Sequence, residues 1–290
     1  MNSIIKQEIS MSLIKFHDFS FRYKGNEDYA LKDINLKIES NKFILLAGET
    51  GSGKTTFIRC LNGLIPQFYP GFYKGYVEIG KKNTDSTQIS NLSTEVGIVF
   101  QNPENQLIAM NVEHEIAFGL ENLGVHPDII RNRIRDVVKL TEIEGLLDKA
   151  PYELSGGEQQ RVAIASILVL EPKLIILDEP TASLDPLYAY KIMVLLKKIQ
   201  IEKKITIIIS EHRLDLVLPF VDQIILIKDG TIGSQGERDE VIDSKIFKNA
   251  NVNKPFIYSF FDNLNLEGIN APATLEQALT IIQNLRSVEE

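Results

Sequence analysis

Apolar positions along this chain follow two different periods, and the changes between them predict the order of strands and helices. Between residues 13 and 38 apolar and polar residues alternate, which predicts two antiparallel strands. After residue 127 the spacing becomes helical. The apolar residues that share one helical face there are Ile130, Ile134, Val137 and Val138. Further apolar runs of strand length lie at residues 43–47, 96–100, 174–177, 205–209 and 224–227.

Predicted helices separate most of these later strands, so we expect an α/β fold with a mostly parallel sheet. The pattern adds an N-terminal antiparallel β subdomain and an inserted α-helical subdomain at about 102–165. Residues 66–75 are predicted to form a loop, and Asp229-Gly230 predicts a hairpin turn. Residues 236–290 are predicted to be a small appended segment with a short helix at 274–285.

Composition narrows the classes of function. The chain has 290 residues, enough for one large domain with an appendage. Lys plus Arg number 31 and Asp plus Glu 39, a net charge of −8, so nucleic acid is not an expected partner. One cysteine, Cys60, and four scattered histidines predict neither a disulfide nor a multi-cysteine metal site.

The sequence contains neither a signal-peptide layout at its N-terminus nor an apolar run near the roughly 18 residues of a membrane span. Met11 is an alternative start of the ordered domain. We therefore expect a soluble chain that reaches a membrane only by docking on another protein.

A glycine-rich loop joins the predicted strand at 43–47 to a predicted helix. It reads Gly48-Glu-Thr-Gly-Ser-Gly-Lys-Thr55, which fits the phosphate-loop pattern in the required strand–loop–helix context. Its N–H groups can form an anion nest, Lys54 can reach the β- and γ-phosphates, and the Thr55 hydroxyl can bind Mg²⁺. The candidate nucleotide-binding residues are Gly48, Glu49, Thr50, Gly51, Ser52, Gly53, Lys54, Thr55 and Thr56.

Two adjacent carboxylates follow the apolar strand at 174–177. Asp178 and Glu179 would lie at the carboxyl edge of the sheet, where ligands collect in such folds. Asp178 is a candidate Mg²⁺ ligand through water, and Glu179 is a candidate general base for the attacking water. In isolation, two adjacent carboxylates at a strand end more often belong to an ordinary loop. The phosphate loop upstream favours the catalytic interpretation.

A second phosphate-binding turn is predicted at Leu154-Ser-Gly-Gly-Glu-Gln-Gln-Arg161. A Ser-Gly-Gly turn that begins a helix offers free N–H groups and the positive end of the helix dipole. Since the chain already has one phosphate loop, this turn predicts a site completed by two chains.

Taken in order, these motifs resemble the nucleotide-binding subunits of ABC transporters, with a P-loop NTPase core over residues 12–235. The resemblance also uses Gln101 after an apolar strand, Ser183-Leu-Asp185 and His212. It implies that Tyr23 stacks on adenine, that Gln101 senses Mg²⁺ and the γ-phosphate, and that His212 contacts the γ-phosphate. Two chains, identical or paralogous, would sandwich two ATP molecules, and the trans-acting residues would be Ser155, Gly156 and Gly157.

Each of these roles has a simpler alternative. Tyr23 is one of several aromatic residues on an early strand and could simply pack in the core. Gln101 and His212 are single polar residues at strand ends, and they carry little weight outside the family order. Asp185 is interpreted as a contact of the dimer interface rather than a ligand.

A finer resemblance lies in Phe100-Gln-Asn-Pro-Glu-Asn-Gln-Leu107 and Ala117-Phe-Gly-Leu-Glu-Asn-Leu-Gly124. Both are similar to the ATPases of energy-coupling factor importers of vitamins or transition-metal ions. The resemblance implies a transmembrane scaffold and a substrate-binding membrane protein as partners, and a peripheral location at the cytoplasmic face of the membrane. Leu107, Ile108 and Met110 could line a groove for a partner helix, or the segment could bury its apolar face within the chain.

Three alternatives remain at this point. The chain could be a soluble ABC ATPase acting on nucleic acid or ribosomes, the ATPase of another type of ABC transporter, or a small-molecule kinase with a phosphate loop. The kinase hypothesis does not explain the motif at residues 154–159. Because the chain contains both halves of a composite site, a homodimer and a heterodimer both fit, and residues 236–290 are a candidate dimerisation segment.

Overall fold

The computed structural model describes residues 12–250, 252, 255–264, 272 and 274–288. Its strands are β1 Ser12–Tyr23, β2 Leu31–Glu39, β3 Phe43–Ala47, β4 Gly71–Ile79, β5 Lys82–Asn83, β6 Val96–Val99, β7 Leu174–Asp178, β8 Thr206–Ser210, β9 Gln223–Lys228 and β10 Thr231–Glu237. Its helices are α1 Lys54–Leu61, α2 Leu64–Gln67, α3 Ile89–Leu92, α4 Val112–Asn122, α5 Pro127–Thr141, α6 Gly156–Leu168, α7 Pro186–Lys203, α8 Leu214–Val217, α9 Arg238–Asp243, α10 Lys245–Lys248, α11 Phe256–Leu264 and α12 Leu275–Val288.

The larger sheet confirms the predicted α/β fold. Its strand order is β10-β9-β3-β8-β7-β6, and every neighbouring pair from β9 to β6 is parallel. The strands β3 and β8 are buried along their whole length, as expected for parallel strands covered on both faces. This order places β3, β8 and β7 side by side. Because the three strands are parallel, the loops that follow them lie at the same edge of the sheet.

The Asp229-Gly230 hairpin turn is also confirmed. It joins β9 to the antiparallel β10. Asp229 and Gly230 have φ values of 49° and 74°, the two positive φ angles that a tight hairpin turn needs. Asp and Gly tolerate this left-handed conformation better than most residues. The dipeptide alone was therefore enough to predict the turn.

A second, antiparallel sheet forms the predicted N-terminal β subdomain, with strand order β2-β1-β4-β5. Phe16 on β1 stacks on Phe57 of α1, with ring centroids 4.7 Å apart. The small sheet therefore packs directly on the helix that follows the glycine-rich loop, and it supports that loop from one side.

The prediction of a loop at 66–75 was wrong. Strand β4 begins at Gly71 and pairs with β1, Gly71 lying opposite Tyr23 and Phe72 opposite Arg22. The first residues of β4 are mostly exposed, so the sequence there lacks the buried alternation that would indicate a strand. The strand forms because β1 offers it an edge.

The predicted helical subdomain contains α4, α5 and α6. The helix α5 begins at Pro127, which suits a first helical position because its missing N–H would have no partner there. The four residues predicted on its apolar face are buried: Ile130, Ile134, Val137 and Val138. The boundaries 102–165 stay a prediction.

In the appended segment the terminal helix is found as α12, whereas α9, α10 and α11 were not predicted. Val241 and Phe247 are buried in the same core as the large sheet. On α11 the Tyr258 hydroxyl donates to the Ile242 carbonyl at 3.3 Å. The domain boundary at 236 stays a prediction. The burial of Val241 and Phe247 shows that α9 and α10 pack in the same core as the large sheet.

Across the part of the chain that the structure describes, we find no helix with both the length and the apolar character needed to cross a bilayer.

Candidate nucleotide-binding and hydrolysis site

The glycine-rich loop lies between β3 and α1, as the motif predicts. Gly48, Gly51 and Gly53 have φ values of 150°, 81° and 113°, in the region that side chains rarely adopt. At Gly53 a Cβ would also stand 2.6 Å from the Ala30 carbonyl oxygen, and at Gly48 it would stand 2.4 Å from that of Ile227. The loop is therefore wedged against neighbouring backbone.

These glycines allow a graded test of the loop. Gly53→Ala combines a positive φ with a clash, and we expect it to lower the free energy of unfolding by about 3 kcal/mol and to abolish nucleotide binding. Gly51→Ala has the positive φ in open space and should cost about 1 kcal/mol. Gly145→Ala, with open space and no positive φ, is the control and should be nearly neutral. Denaturant titration measures all three; equal losses for Gly51 and Gly53 would contradict the role of the Ala30 contact.

Lys54 is largely buried at the start of α1. Its ammonium donates to the carbonyl oxygens of Gly48 at 2.8 Å and Glu49 at 2.9 Å. Burial lowers the pKa of Lys54, and the nearby carboxylates of Glu179 and Asp178 partly counteract that shift. The loop thus holds the Lys54 ammonium against two of its own carbonyl oxygens, within electrostatic range of both predicted carboxylates.

Asp178 ends β7 opposite Ser210, the last residue of β8. The Ser210 hydroxyl, fully buried, donates to Asp178 Oδ1. The same hydroxyl accepts the Glu179 N–H at 3.1 Å, and the Ser210 carbonyl oxygen accepts it at 3.0 Å. One serine therefore fixes both the Asp178 side chain and the Glu179 backbone.

The Glu179 carboxylate is held between two side chains that sequence separates widely. Gln101 Nε2 donates to its Oε2 at 2.9 Å, and His212 Nε2 contacts its Oε1 at 3.0 Å. Gln101 lies just after β6 and His212 just after β8. The parallel sheet brings these three predicted residues together, with Gln101 and His212 each bonded to one oxygen of the Glu179 carboxylate.

A cleft of about 320 Å³ next to this cluster is the candidate site for Mg²⁺. Thr55, Gln101 and Asp178 all line it. They present a hydroxyl, an amide oxygen and a carboxylate, the hard oxygen donors that Mg²⁺ prefers. The donor set thus fits the predicted metal site.

Tyr23 lies beside the same helix. Its hydroxyl hydrogen-bonds the Thr56 hydroxyl at 3.2 Å and accepts from Arg59 at 3.1 Å. Its ring meets Phe21 edge to face, at 4.8 Å between centroids. Tyr23 is thus packed and anchored on α1, while remaining partly exposed.

The Ser155-Gly-Gly turn begins α6 as predicted. Ser155 caps the helix together with Glu158, whose carboxylate accepts the Ser155 N–H at 2.8 Å and the Ser155 hydroxyl at 2.7 Å. These bonds lower the pKa of Glu158. A Cβ on Gly157 would stand 2.7 Å from the Tyr188 ring. Within the described residues, no hydrogen bond of Ser155 reaches the phosphate loop.

Sequence reasoning missed several polar residues that shape the site. Ser210 fixes Asp178 and Glu179, and the buried Glu211 accepts hydrogen bonds from Thr181. Asp185, interpreted only as an interface contact, caps α7 by accepting the N–H groups of Leu187 and Tyr188. Ser210 and Glu211 stand directly before His212 in the sequence, and that adjacency to a predicted site residue was the signal that could have found them.

Comparison with known proteins shows the family of this chain. Residues 31–182 match the ABC transporter family. A Pyrococcus horikoshii protein, provisionally named an ABC transporter ATP-binding protein, is 44% identical over 237 residues, which cover 82% of this chain and 84% of that protein. A Caldanaerobacter subterraneus protein with the same provisional name is 38% identical over 271 residues, 92% of this chain but 48% of the longer relative.

Two solved structures are similar. One is cbiO1 from Clostridium perfringens, described as part of the ABC transporter complex cbiONQ, with 37% identity, a TM-score of 0.73 and coverage of 81% of this chain and 92% of that one. The other is the ATP-binding cassette MJ0796, a dimer in a post-hydrolysis state bound to ADP and Pi, with 30% identity, a TM-score of 0.66 and coverage of 78% and 98%.

The chain therefore belongs to the ATP-binding subunits of the ABC transporter family. It binds ATP and is an ATP hydrolase with the mixed α/β ABC ATPase fold.

Proposed function

We propose that this chain powers an energy-coupling factor importer of vitamins or transition-metal ions. The observation that carries the proposal is the segment after Gln101, which links the hydrolysis site to an exposed apolar loop. The similarity to cbiO1 of the cbiONQ complex supports the importer type. The chain would lie at the cytoplasmic face of the membrane, docked on a transmembrane scaffold that also holds a separate substrate-binding membrane protein.

Within this proposal the residues of the site bind the nucleotide and activate the attacking water. Loop residues 48–56 wrap the ATP phosphates with backbone N–H groups, and Lys54 turns its ammonium from the loop carbonyls to the β- and γ-phosphates. Tyr23 supports the adenine. Glu179 orients and deprotonates the attacking water, while Gln101 and His212 keep its carboxylate in place.

Thr55, Asp178 and Gln101 would hold Mg²⁺, Asp178 through water. The ion supplies positive charge that offsets the charge developing on the phosphates. The Ser210 hydroxyl bond keeps the Asp178 carboxylate turned towards the cleft that Thr55 and Gln101 also line.

A second ATPase subunit, identical or paralogous, would complete each site. The N–H groups of Gly156 and Gly157 at the start of α6 have no carbonyl partner within the helix, so they can receive the γ-phosphate of ATP held by the partner. The Ser155 hydroxyl, which donates to Glu158 in the single chain, would turn to the same phosphate. The dimeric MJ0796 cassette supports this arrangement. Closure of the pair on ATP and reopening after hydrolysis would then move the scaffold.

The docking loop, residues 107–111, has an exposed apolar tip with a fixed backbone, whereas Leu107 is buried in the main core and does not face a partner. Met110 is 87% exposed and Ile108 is 70% exposed. Beneath them the buried Glu115 of α4 accepts the N–H groups of Ile108 and Ala109, both at 2.8 Å. A rigid loop that presents large apolar side chains is typical of a protein interface.

Charge substitutions in the docking loop test the coupling. We expect Ile108→Glu combined with Met110→Glu to release the chain from its membrane partners, because burying two carboxylates at an apolar interface is unfavourable. ATP hydrolysis by the isolated chain should stay within about twofold of the parent value, since neither residue touches the site. Ile201→Glu, on the exposed face of α7, is the matched control and should keep the partners.

Detergent co-purification followed by mass spectrometry provides the measurement. Recovery of one scaffold protein with separate small substrate-binding membrane proteins supports the importer. Recovery of ribosomes or DNA, or of a transmembrane pair without a separate membrane-embedded binding protein, would contradict it. Retention of all partners by the double variant would show that the docking loop is not the contact.

A further inference from the structure

The buried carboxylate of Glu211 joins two segments that flank Glu179. One oxygen, Oε1, accepts the backbone N–H of Thr181 at 3.0 Å and also the Thr181 hydroxyl. The other, Oε2, accepts the backbone N–H of His212 at 3.1 Å. Glu211 is 4% exposed and Thr181 is fully buried, so water does not compete for these bonds.

The position of the two partners gives the contact its meaning. Thr181 lies two residues after Glu179 along the chain, whereas the imidazole of His212 contacts the Glu179 carboxylate at 3.0 Å. Glu211 therefore ties the backbone downstream of Glu179 to the residue that holds its side chain. A shift of either segment would move the carboxylate relative to Gln101 and the phosphate loop.

Arg213 extends this connection. Its guanidinium donates to the carbonyl oxygens of Thr181 at 3.4 Å and Leu184 at 3.3 Å. With Ser210 bonded to Asp178 and Glu179, the four consecutive residues 210–213 hold the loop that runs from β7 to the α7 cap, Asp185. The loop cannot move as a unit without breaking several of these bonds.

We propose that Glu211 is a positioning residue for ATP hydrolysis. Its carboxylate couples the loop after Glu179 to His212, and this keeps Glu179 facing the attacking water. The proposal rests on the proposed role of Glu179 as general base. It requires neither an importer nor any membrane partner, so it is tested on the full-length chain alone.

Glu211→Gln is the informative substitution. Three donors converge on the two carboxylate oxygens, whereas an amide offers one acceptor oxygen and places an NH₂ group against the remaining donor. We expect kcat to fall by about 10- to 100-fold with KM for ATP within about twofold, because the geometry of hydrolysis changes while nucleotide binding does not. Thr181→Val, which removes one of the donors, should lower kcat less, and Thr181→Ser should keep the parent value.

Asp222→Asn is the matched control. Asp222 also uses its carboxylate to accept a backbone N–H, that of Phe43 at 2.8 Å, and it lies at the opposite end of β3 from the phosphate loop. It should lower thermal stability without lowering kcat. If Glu211→Gln lowered kcat only as much as Asp222→Asn at equal loss of stability, the role of Glu211 would be purely structural and the proposal overturned.

A double-mutant cycle separates this proposal from the assignment of Glu179. If Glu211 acts through Glu179, adding Glu211→Gln to Glu179→Gln should lower the residual rate by less than about twofold. A further loss equal to that of the single variant would overturn the proposal. Parent activity in Glu179→Gln alone would instead show that Glu179 is not the general base. This failure is separate, and it would be visible before the double variant is measured.

Discussion

Replacing Glu179 with Gln is expected to reduce steady-state ATP hydrolysis by about 10²- to 10⁴-fold while leaving ATP bound. The amide keeps the size of the carboxylate and can still meet Gln101 and His212, but it cannot accept a proton from water. Because reopening of the paired subunits would follow hydrolysis, the variant should also accumulate as an ATP-bound dimer.

Phosphate release and size-exclusion chromatography with ATP measure the two effects. The matched control is Glu171→Gln, because Glu171 is an exposed carboxylate paired with Arg133 at 2.7 Å. It should hydrolyse ATP at the parent rate and show the parent's balance of monomer and dimer. Turnover of ATP by Glu179→Gln at the parent rate would show that another group activates the water.

The backbone at Glu179 explains why its position is so closely determined. Its φ of 50° lies in the left-handed region, which costs a residue with a side chain about 1 kcal/mol or more. The strain persists because Ser210 accepts the Glu179 N–H through both its carbonyl oxygen and its hydroxyl. Strain of this kind is concentrated at sites where a side chain must point in one direction.

The parts of the site that sequence could predict are those written in local spacing. The phosphate loop depends on glycines at fixed offsets between a strand and a helix, and Asp178 and Glu179 depend only on following an apolar strand. Once the sheet is parallel, the carboxyl ends of its strands meet at one edge. The meeting of Gln101, Glu179 and His212 follows from that rule.

The parts that sequence missed depend on partners distant along the chain. Glu211 is an ordinary glutamate until Thr181, 30 residues earlier, provides its donors. Glu115 likewise became informative only when the turn before α4 folded back on it. For β4, exposed aromatic residues gave no alternation, and pairing with β1 decided the outcome. Local patterns do not encode such tertiary contacts.

Replacing Lys54 with Met is expected to weaken ATP binding by about 10²-fold or more and to abolish measurable hydrolysis. Charge-assisted hydrogen bonds to a phosphate contribute up to about 3 kcal/mol, which corresponds to that loss of affinity. Met fills a similar volume, so the loop keeps its packing. Lys198→Met, at an exposed position on α7, is the control and should bind and hydrolyse ATP as the parent does.

Although Lys54→Met should weaken ATP binding, we expect it not to lower the stability of the nucleotide-free chain at neutral pH. Burial lowers the pKa of Lys54 in the folded chain below its value in the unfolded chain, so the unfolded chain binds more protons between those two values. The charged lysine therefore costs stability at neutral pH, and stability rises as pH increases from the folded pKa to the unfolded one. Removing the ammonium should abolish this rise.

Chemical denaturation of nucleotide-free protein from neutral to alkaline pH tests this sign. We expect Lys54→Met to be at least as stable as the parent at neutral pH, with the difference shrinking as pH approaches the ordinary lysine value. Lys198→Met should follow the parent curve throughout. A variant less stable than the parent at neutral pH would mean that the bonds from Lys54 to Gly48 and Glu49 outweigh its desolvation, making the ammonium a structural part of the loop as well as a ligand for phosphate.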